Sequence, residues 1–199
     1  MLKKEAKEIT GGLSAPSKLP GPSYNLPATQ CITGAKLVKI PGSVCHGCYA
    51  LKGRYRFSNV RLALARRLES LKHPRWVEAM TALIQGEEVF RWHDSGDLQS
   101  VDHLKKIFEV CNRTPETSHW LPTRERKFLP LNHDSIPKNL TIRFSSHMIN
   151  QPPVKFWPWT SCVVDKDYHT CPAQSQGNKC LTCRACWDRK VANVTYPKH

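Results

Sequence analysis

With 199 residues and 40% apolar content, the chain suffices for one ordinary domain with a real core and no excess of apolar surface. Lysine and arginine exceed aspartate and glutamate by 30 to 16, a net charge of +14 that favours polyanionic partners such as nucleic acid. No run of about 18 apolar residues is present and the start, MLKKEAKEITGG, lacks the apolar stretch of a signal peptide, so neither a membrane span nor a secretory leader is expected. The protein therefore reads as cytosolic. Its nine cysteines argue for metal or cluster ligation, because a reducing compartment disfavours disulfides and an odd number cannot pair completely.

In chain order, residues 11–30 hold four prolines and three glycines with no period, so residues 1–30 are expected to form an extended arm. Irregular chain follows from Cys31, with Pro41-Gly42 turning it before Cys45. A helix is expected from Ser58, capped by Ser58 or Asn59, with Val60, Leu64, Leu68 and Leu71 on one face and Arg61, Arg66 and Arg67 on the other. A second helix, RWVEAMTALIQG, starts after His73-Pro74 and stops at Gly86.

EEVFRWHDSGDLQS then reads as a strand that delivers Asp94-Ser95-Gly96-Asp97 at its carboxyl end. Ser100 caps a third helix with Val101, Leu104, Ile107 and Phe108 turned inward. Two more strands, TSHWLPTRERK and NLTIRFSSH, also end in polar residues. This alternation predicts an α/β fold with a partial, barrel-like parallel sheet over residues 31–150 and a Cys-rich, loop-rich segment over 151–199. Ligands of such sheets lie beyond the carboxyl ends of the strands, where Asp94, Ser95, Gly96, Asp97, Thr123, Arg124, Ser145 and Ser146 are expected to meet.

The cysteines fall into two groups. Cys180, Cys183 and Cys186 recur every third residue, a spacing that lets successive thiolates reach one centre, and Cys171 supplies a fourth from the preceding loop unless Cys162 takes that place. This C-x2-C-x2-C run fits an iron–sulfur cluster better than zinc, which usually takes two separated pairs. The first group, Cys31, Cys45 and Cys48, offers three thiolates. A 4Fe-4S cluster on three cysteines keeps one iron open for a ligand. The alternatives are a zinc site completed by His46 or another histidine, or one cluster shared by both groups. Cys111, at a helix end, reads as packing.

Other constellations stand beside these. His93, Asp94 and Asp97 lie close enough in sequence for a carboxylate to orient an imidazole base or hold a ligand amine, and the two carboxylates also suit the capping of the next helix. Lys52, Arg54 and Arg56, interleaved with Tyr55 and Phe57 and followed by Arg61, Arg66 and Arg67, form a pattern that grips phosphates and stacks bases; an acidic host protein is the other partner such charge would suit. Trp157 and Trp159 read as hydrophobic cover for a cluster.

The stretches CHGCYALKGRY, RWHDSGDLQS, NLTIRFSSH and the ending CPAQSQGNKCLTCRACWDRKVANVTYPKH, closed by His199, resemble the bacteriophage family named after the product of gene eighty-eight of a mycobacteriophage, from about residue 25 onward. That resemblance implies a phage-encoded protein acting in the cytoplasm of the bacterial host. More remotely, the organisation is similar to that of the radical S-adenosylmethionine enzymes. It implies that Cys31, Cys45 and Cys48 hold a catalytic 4Fe-4S cluster, that Ser95, Gly96 and Asp97 receive the methionine cofactor, and that the C-terminal cysteines carry an auxiliary cluster.

Overall fold

Six short runs of the chain pair side by side into one sheet, and every neighbouring pair is parallel. The strands are β1 (Ser23–Tyr24), β2 (Val89–Trp92), β3 (Ser118–Thr123), β4 (Leu140–Ser145), β5 (Thr160–Val164) and β6 (Asn193–Pro197), and they stand in the sheet in sequence order. The sheet is open, with β1 and β6 at its edges. The computed structural model describes residues 1–165 and 168–198, so His199 lies outside the described residues.

Each connection that carries a helix runs between neighbouring strands, as parallel pairing requires. Helix α1 (Lys3–Thr10) precedes β1, and α2 (Ile32–Leu37), α3 (Ser58–Ser70) and α4 (Trp76–Ile84) lie between β1 and β2. Helix α5 (Val101–Arg113) joins β2 to β3; Ser100 caps it by accepting from the His103 amide at 3.0 Å, although Val101 faces solvent.

Alternating side chains of the strands enter two separate cores. Phe90, Trp92, Leu121 and Ile142 join Trp76, Met80 and Ile107 in the core on one face. Val89, Trp120 and Val194 on the other face meet Cys186 and Trp187 of the C-terminal segment. The sheet is thus covered on both sides, which is why β4 is buried at every position although its apolar residues alternate with Thr141, Arg143 and Ser145.

Three expectations need correction. Residues 1–30 are built into the body rather than extended along it: α1 packs Ala6 against Ala79 and Leu83 of α4, and β1 is an edge strand. The Tyr24 hydroxyl explains the attachment, lying 2.8 Å from Thr10 O and 3.0 Å from Arg67 O and accepting from Trp76 Nε1 at 3.3 Å. The sheet also does not stop before residue 151, since β5 and β6 complete it. Trp157 belongs to the core of the first face and donates to Ile142 O at 2.8 Å, while Trp159 donates to Arg189 O at 2.9 Å. The tryptophans beside the C-terminal cysteines are instead Trp120 and Trp187, whose rings lie 5.1 Å apart. Among the described residues no helix is long and apolar enough to cross a membrane.

Candidate metal centre

The loops that leave β1 to β4 are stitched together around Cys31, Cys45 and Cys48. Leu26 donates its amide to Ser95 O at 2.9 Å, Ser95 Oγ donates to Leu26 O at 3.0 Å, and the Asp94 amide donates to Asn25 Oδ1 at 2.8 Å. These bonds join the loop after β1 to the loop after β2. Gly96 lies at the closest approach, with φ +82 and room for no side chain, because a Cβ would stand 2.6 Å from Leu26 Cβ and 2.7 Å from Leu26 O. Gly96→Ala is therefore expected to lower stability by about 2 kcal/mol or more, combining left-handed strain with a backbone clash, measured as a lowered urea midpoint.

Asp97 ties in the loop after β3. One carboxylate oxygen accepts from Thr123 Oγ1 at 2.5 Å and the Leu98 amide at 2.8 Å, and the other from the Arg124 amide at 3.0 Å. Burial raises its pKa to about 6 against the opposing pull of these donors. The loop after β4 closes the ring, since the Val44 amide donates to His147 O at 2.9 Å and Arg124 Nε donates to Ser146 O at 3.3 Å.

The long interval between Cys31 and Cys45 is filled by α2, which folds the chain back so that both sulfurs face one point. A Cβ placed on Gly34 would lie 2.9 Å from Cys31 Cβ, 3.7 Å from Cys31 Sγ and 3.8 Å from Cys45 Sγ. Glu125, buried after β3, fixes α2 in place by accepting from the Thr33 amide at 2.7 Å and Thr33 Oγ1 at 2.9 Å. The Cys48 amide donates to Cys45 O at 3.1 Å, the turn expected of a C-x2-C pair. Tyr49, the next residue, donates its hydroxyl to Asp94 O. His46 is exposed, with Nδ1 3.1 Å from Val38 O.

Burial pushes the Cys31 thiol up to about 12, with Asp97, Cys48, Cys45 and Glu125 adding to the rise. Burial raises Cys45 as well, opposed by Arg124. Cys31 and Cys45 are therefore protonated as free thiols at neutral pH, and a metal bound there would have to displace their protons.

The second set is held by buried arginine. Arg143, with no exposed surface, lies on β4 and donates to Cys186 O at 2.9 Å, Ala185 O at 2.6 Å, Asp188 O at 2.9 Å and Thr160 O at 3.2 Å. Thr141 Oγ1 donates to Trp187 O at 2.6 Å and Trp187 Nε1 to Phe90 O at 2.9 Å, so the segment is bonded across the sheet face. The Cys183 amide donates to Cys180 O at 2.8 Å, and the Cys171 amide to Thr195 O at 3.0 Å. Cys186 Sγ lies 3.0 Å from the Tyr196 hydroxyl; burial pushes this thiol up to about 12 while Tyr196, Arg143 and Arg91 pull it down. Burial raises Cys171 and Cys180, and each thiol also feels its neighbours in the set. Cys162 stands apart on β5, accepting from Ser146 Oγ at 3.1 Å, and Cys111 is buried in the helix-side core. Among the described residues no three His, Cys, Asp or Glu side chains close on a single metal ion.

Other candidates fall differently. His93 is buried at φ 56 with both ring nitrogens unpartnered and its ring 5.2 Å from that of His103, and burial holds it neutral. Asp94 does not pair with it: one carboxylate oxygen takes Arg91 Nη1 at 2.9 Å and the other Tyr55 OH at 3.1 Å. Arg54, Arg56 and Arg66 are exposed, whereas Arg67 is buried and donates to Ser14 Oγ at 2.8 Å and Gly11 O at 3.4 Å. Glu125, Arg91, Arg143 and Tyr196 are absent from the sequence reading. A lone arginine inside the apolar run VFRW is the signal that marks Arg91, whereas Arg143 occupies a polar position of the alternating LTIRFS and carries no such mark.

A family model described as Gene product 88 matches residues 1–189. No curated protein and no solved structure matches the chain.

Proposed function

The chain belongs to the Gene product 88 family, a family of bacteriophage gene products, and from its two thiol sets we propose that it is a phage-encoded iron–sulfur enzyme acting in the bacterial cytoplasm. The observation that carries this reading is the position of Cys31, Cys45 and Cys48: three thiols at the carboxyl ends of a parallel sheet, beside the Asp94–Asp97 loop. A 4Fe-4S cluster on this set would supply single electrons to a ligand, since three thiolates leave one iron without a protein partner.

The donor set fits that group. A tetrahedral zinc, with Zn–S bonds of about 2.3 Å, draws its sulfurs close around one ion, whereas a cubane spreads them over several irons. Cys31 Sγ and Cys45 Sγ both lie within 3.8 Å of one point beside Gly34, and thiolate donors of this kind suit an iron–sulfur group. The ligand proposed for the open position is S-adenosylmethionine, lying against the loop that Ser95, Gly96 and Asp97 shape. Ser95 and Asp97 are positioning residues in this account, because their polar atoms hold the loops after β1 and β3. The C-terminal set, Cys171, Cys180, Cys183 and Cys186, would carry a second, fully ligated cluster.

The test is to add S-adenosylmethionine to anaerobically reconstituted, chemically reduced protein. Cleavage to methionine and a 5′-deoxyadenosyl product is expected. Cluster-loaded protein that neither binds nor cleaves the cofactor would remove the enzyme reading and leave the alternative, a nucleic-acid- or host-protein-binding protein with a structural cluster or zinc.

A further inference from the structure

Between Glu8 and Glu69 the sequence contains no aspartate or glutamate, and this acid-free stretch includes the whole first thiol set. Its basic side chains are therefore not neutralised from within. Lys52, Arg54, Arg56, Arg61 and Arg66 are all exposed, and among the described residues none of the five forms an ion pair. Arg61 and Arg66 lie on the solvent face of α3, where Leu62 is 66% exposed. Phe57, at the cap of that helix, is 59% exposed, although a phenylalanine of the same chain, Phe90, is wholly buried.

Lys52, Arg54, Arg56 and Phe57 lie together where the chain enters α3, with Arg61 one turn further on, whereas Arg66 is turned toward Glu8 and Glu69. The single-turn helices at Tyr49–Leu51 and Gly53–Arg56 pack on each other, and the second packs on α3. The Tyr49 and Tyr55 rings meet edge to face 5.8 Å apart, and both hydroxyls bond Asp94. The surface therefore begins at Cys48 and runs away from the thiol site. Exposed aromatic and aliphatic side chains set among unpaired cations are what a single strand of nucleic acid recognises, since its phosphates need the charge and its unstacked bases need an apolar face. A duplex hides its base faces, and an acidic protein has no use for the Phe57 ring.

We propose that the face formed by Lys52, Arg54, Arg56, Phe57 and Arg61 binds single-stranded nucleic acid and leads the strand to the thiol site. The strand as substrate rests on the enzyme reading; the binding face does not. Phosphates lie along the arginines and a base stacks on Phe57, with Leu62 extending the apolar contact along α3.

Fluorescence anisotropy of a labelled oligothymidylate of about 12 nucleotides tests this on the anaerobically prepared full chain, with no S-adenosylmethionine present. Failure of cofactor cleavage then leaves the binding result untouched, and loss of binding leaves the cluster untouched. Binding is expected to weaken steeply with salt, and Arg54→Gln/Arg56→Gln is expected to reduce the slope of log affinity against log salt by about 1.4, as loss of two phosphate contacts on a single strand requires. Phe57→Ala is expected to weaken the base-bearing strand about tenfold and leave an abasic strand of equal length unchanged. Lys105→Gln/Lys138→Gln, a charge-matched change at exposed positions outside this face, is expected to alter neither, and circular dichroism checks that each variant is folded. Negligible binding at moderate salt, equal affinity for duplex or polyglutamate, or a Phe57→Ala effect that is the same on the abasic strand would each overturn the proposal.

Discussion

Cys45→Ala is expected to remove about half of the iron and acid-labile sulfide from anaerobically prepared protein, and Cys183→Ala about the other half, because each set has too few thiols to hold a cluster once one is lost. The two effects should be separable. Cys45 belongs to the loop after β1, which is held by Glu125, by Ser95 and by the bond of Tyr49 to Asp94 O, while Cys183 belongs to the segment cradled by Arg143. Cofactor cleavage should vanish in Cys45→Ala, whose set carries the open position. Cys162→Ala is the control: its sulfur accepts from Ser146 in the sheet and its loss should leave the iron content unchanged. If Cys45→Ala and Cys183→Ala each remove all of the iron, the two sets share one cluster; if Cys45→Ala removes none, the first set is not a metal site.

Arg143→Leu is expected to destabilise the protein by about 3 kcal/mol or more, measured by urea unfolding of the metal-free chain. Its guanidinium is fully buried and bonds four carbonyls, of which three belong to the segment that carries Cys186. Leucine keeps the apolar stem and leaves those acceptors buried without donors, which costs more than the lost bonds themselves. Arg143→Lys should recover only part of the loss, because an ammonium cannot reproduce the planar fork. An unfolding midpoint unchanged by Arg143→Leu would mean that the segment does not depend on the sheet for its position.

The parts of this arrangement that were legible from sequence are those in which one physical signal dominates. β2 follows from an apolar run, β4 from strict apolar–polar alternation and α5 from helical periodicity, and Asp97 reaches the carboxyl end of β2 as expected. The edges were not legible. β1 is only Ser23–Tyr24, and β5 and β6 carry serine, threonine and asparagine whose hydroxyls and amides bond across the strands, as Thr160 Oγ1 does to Asn193 Oδ1 at 2.8 Å. Such polar strands give no periodic pattern until their partners are known. α1 is eight residues of mostly charged sequence, and only its contact with α4 gives Ala6 a buried face.

The candidate site was half legible for the same reason. Cysteine spacing marks the thiols directly, but Glu125 lies far from Thr33 in sequence and matters only because the sheet brings their loops together. Arg67 illustrates the converse, since its place in a basic run points outward while the fold turns it inward to Gly11 and Ser14. Apolar identity was equally silent about destination, so Trp157 could not be told from Trp187 before the two faces of the sheet were known.

The most direct measurement is the iron, sulfide and zinc content per chain of the anaerobically purified protein. About eight irons with matching sulfide is the result expected for one 4Fe-4S cluster on each thiol set. Zinc without sulfide would contradict the central claim, making CHGC part of a structural metal knuckle and leaving the basic face as the functional surface.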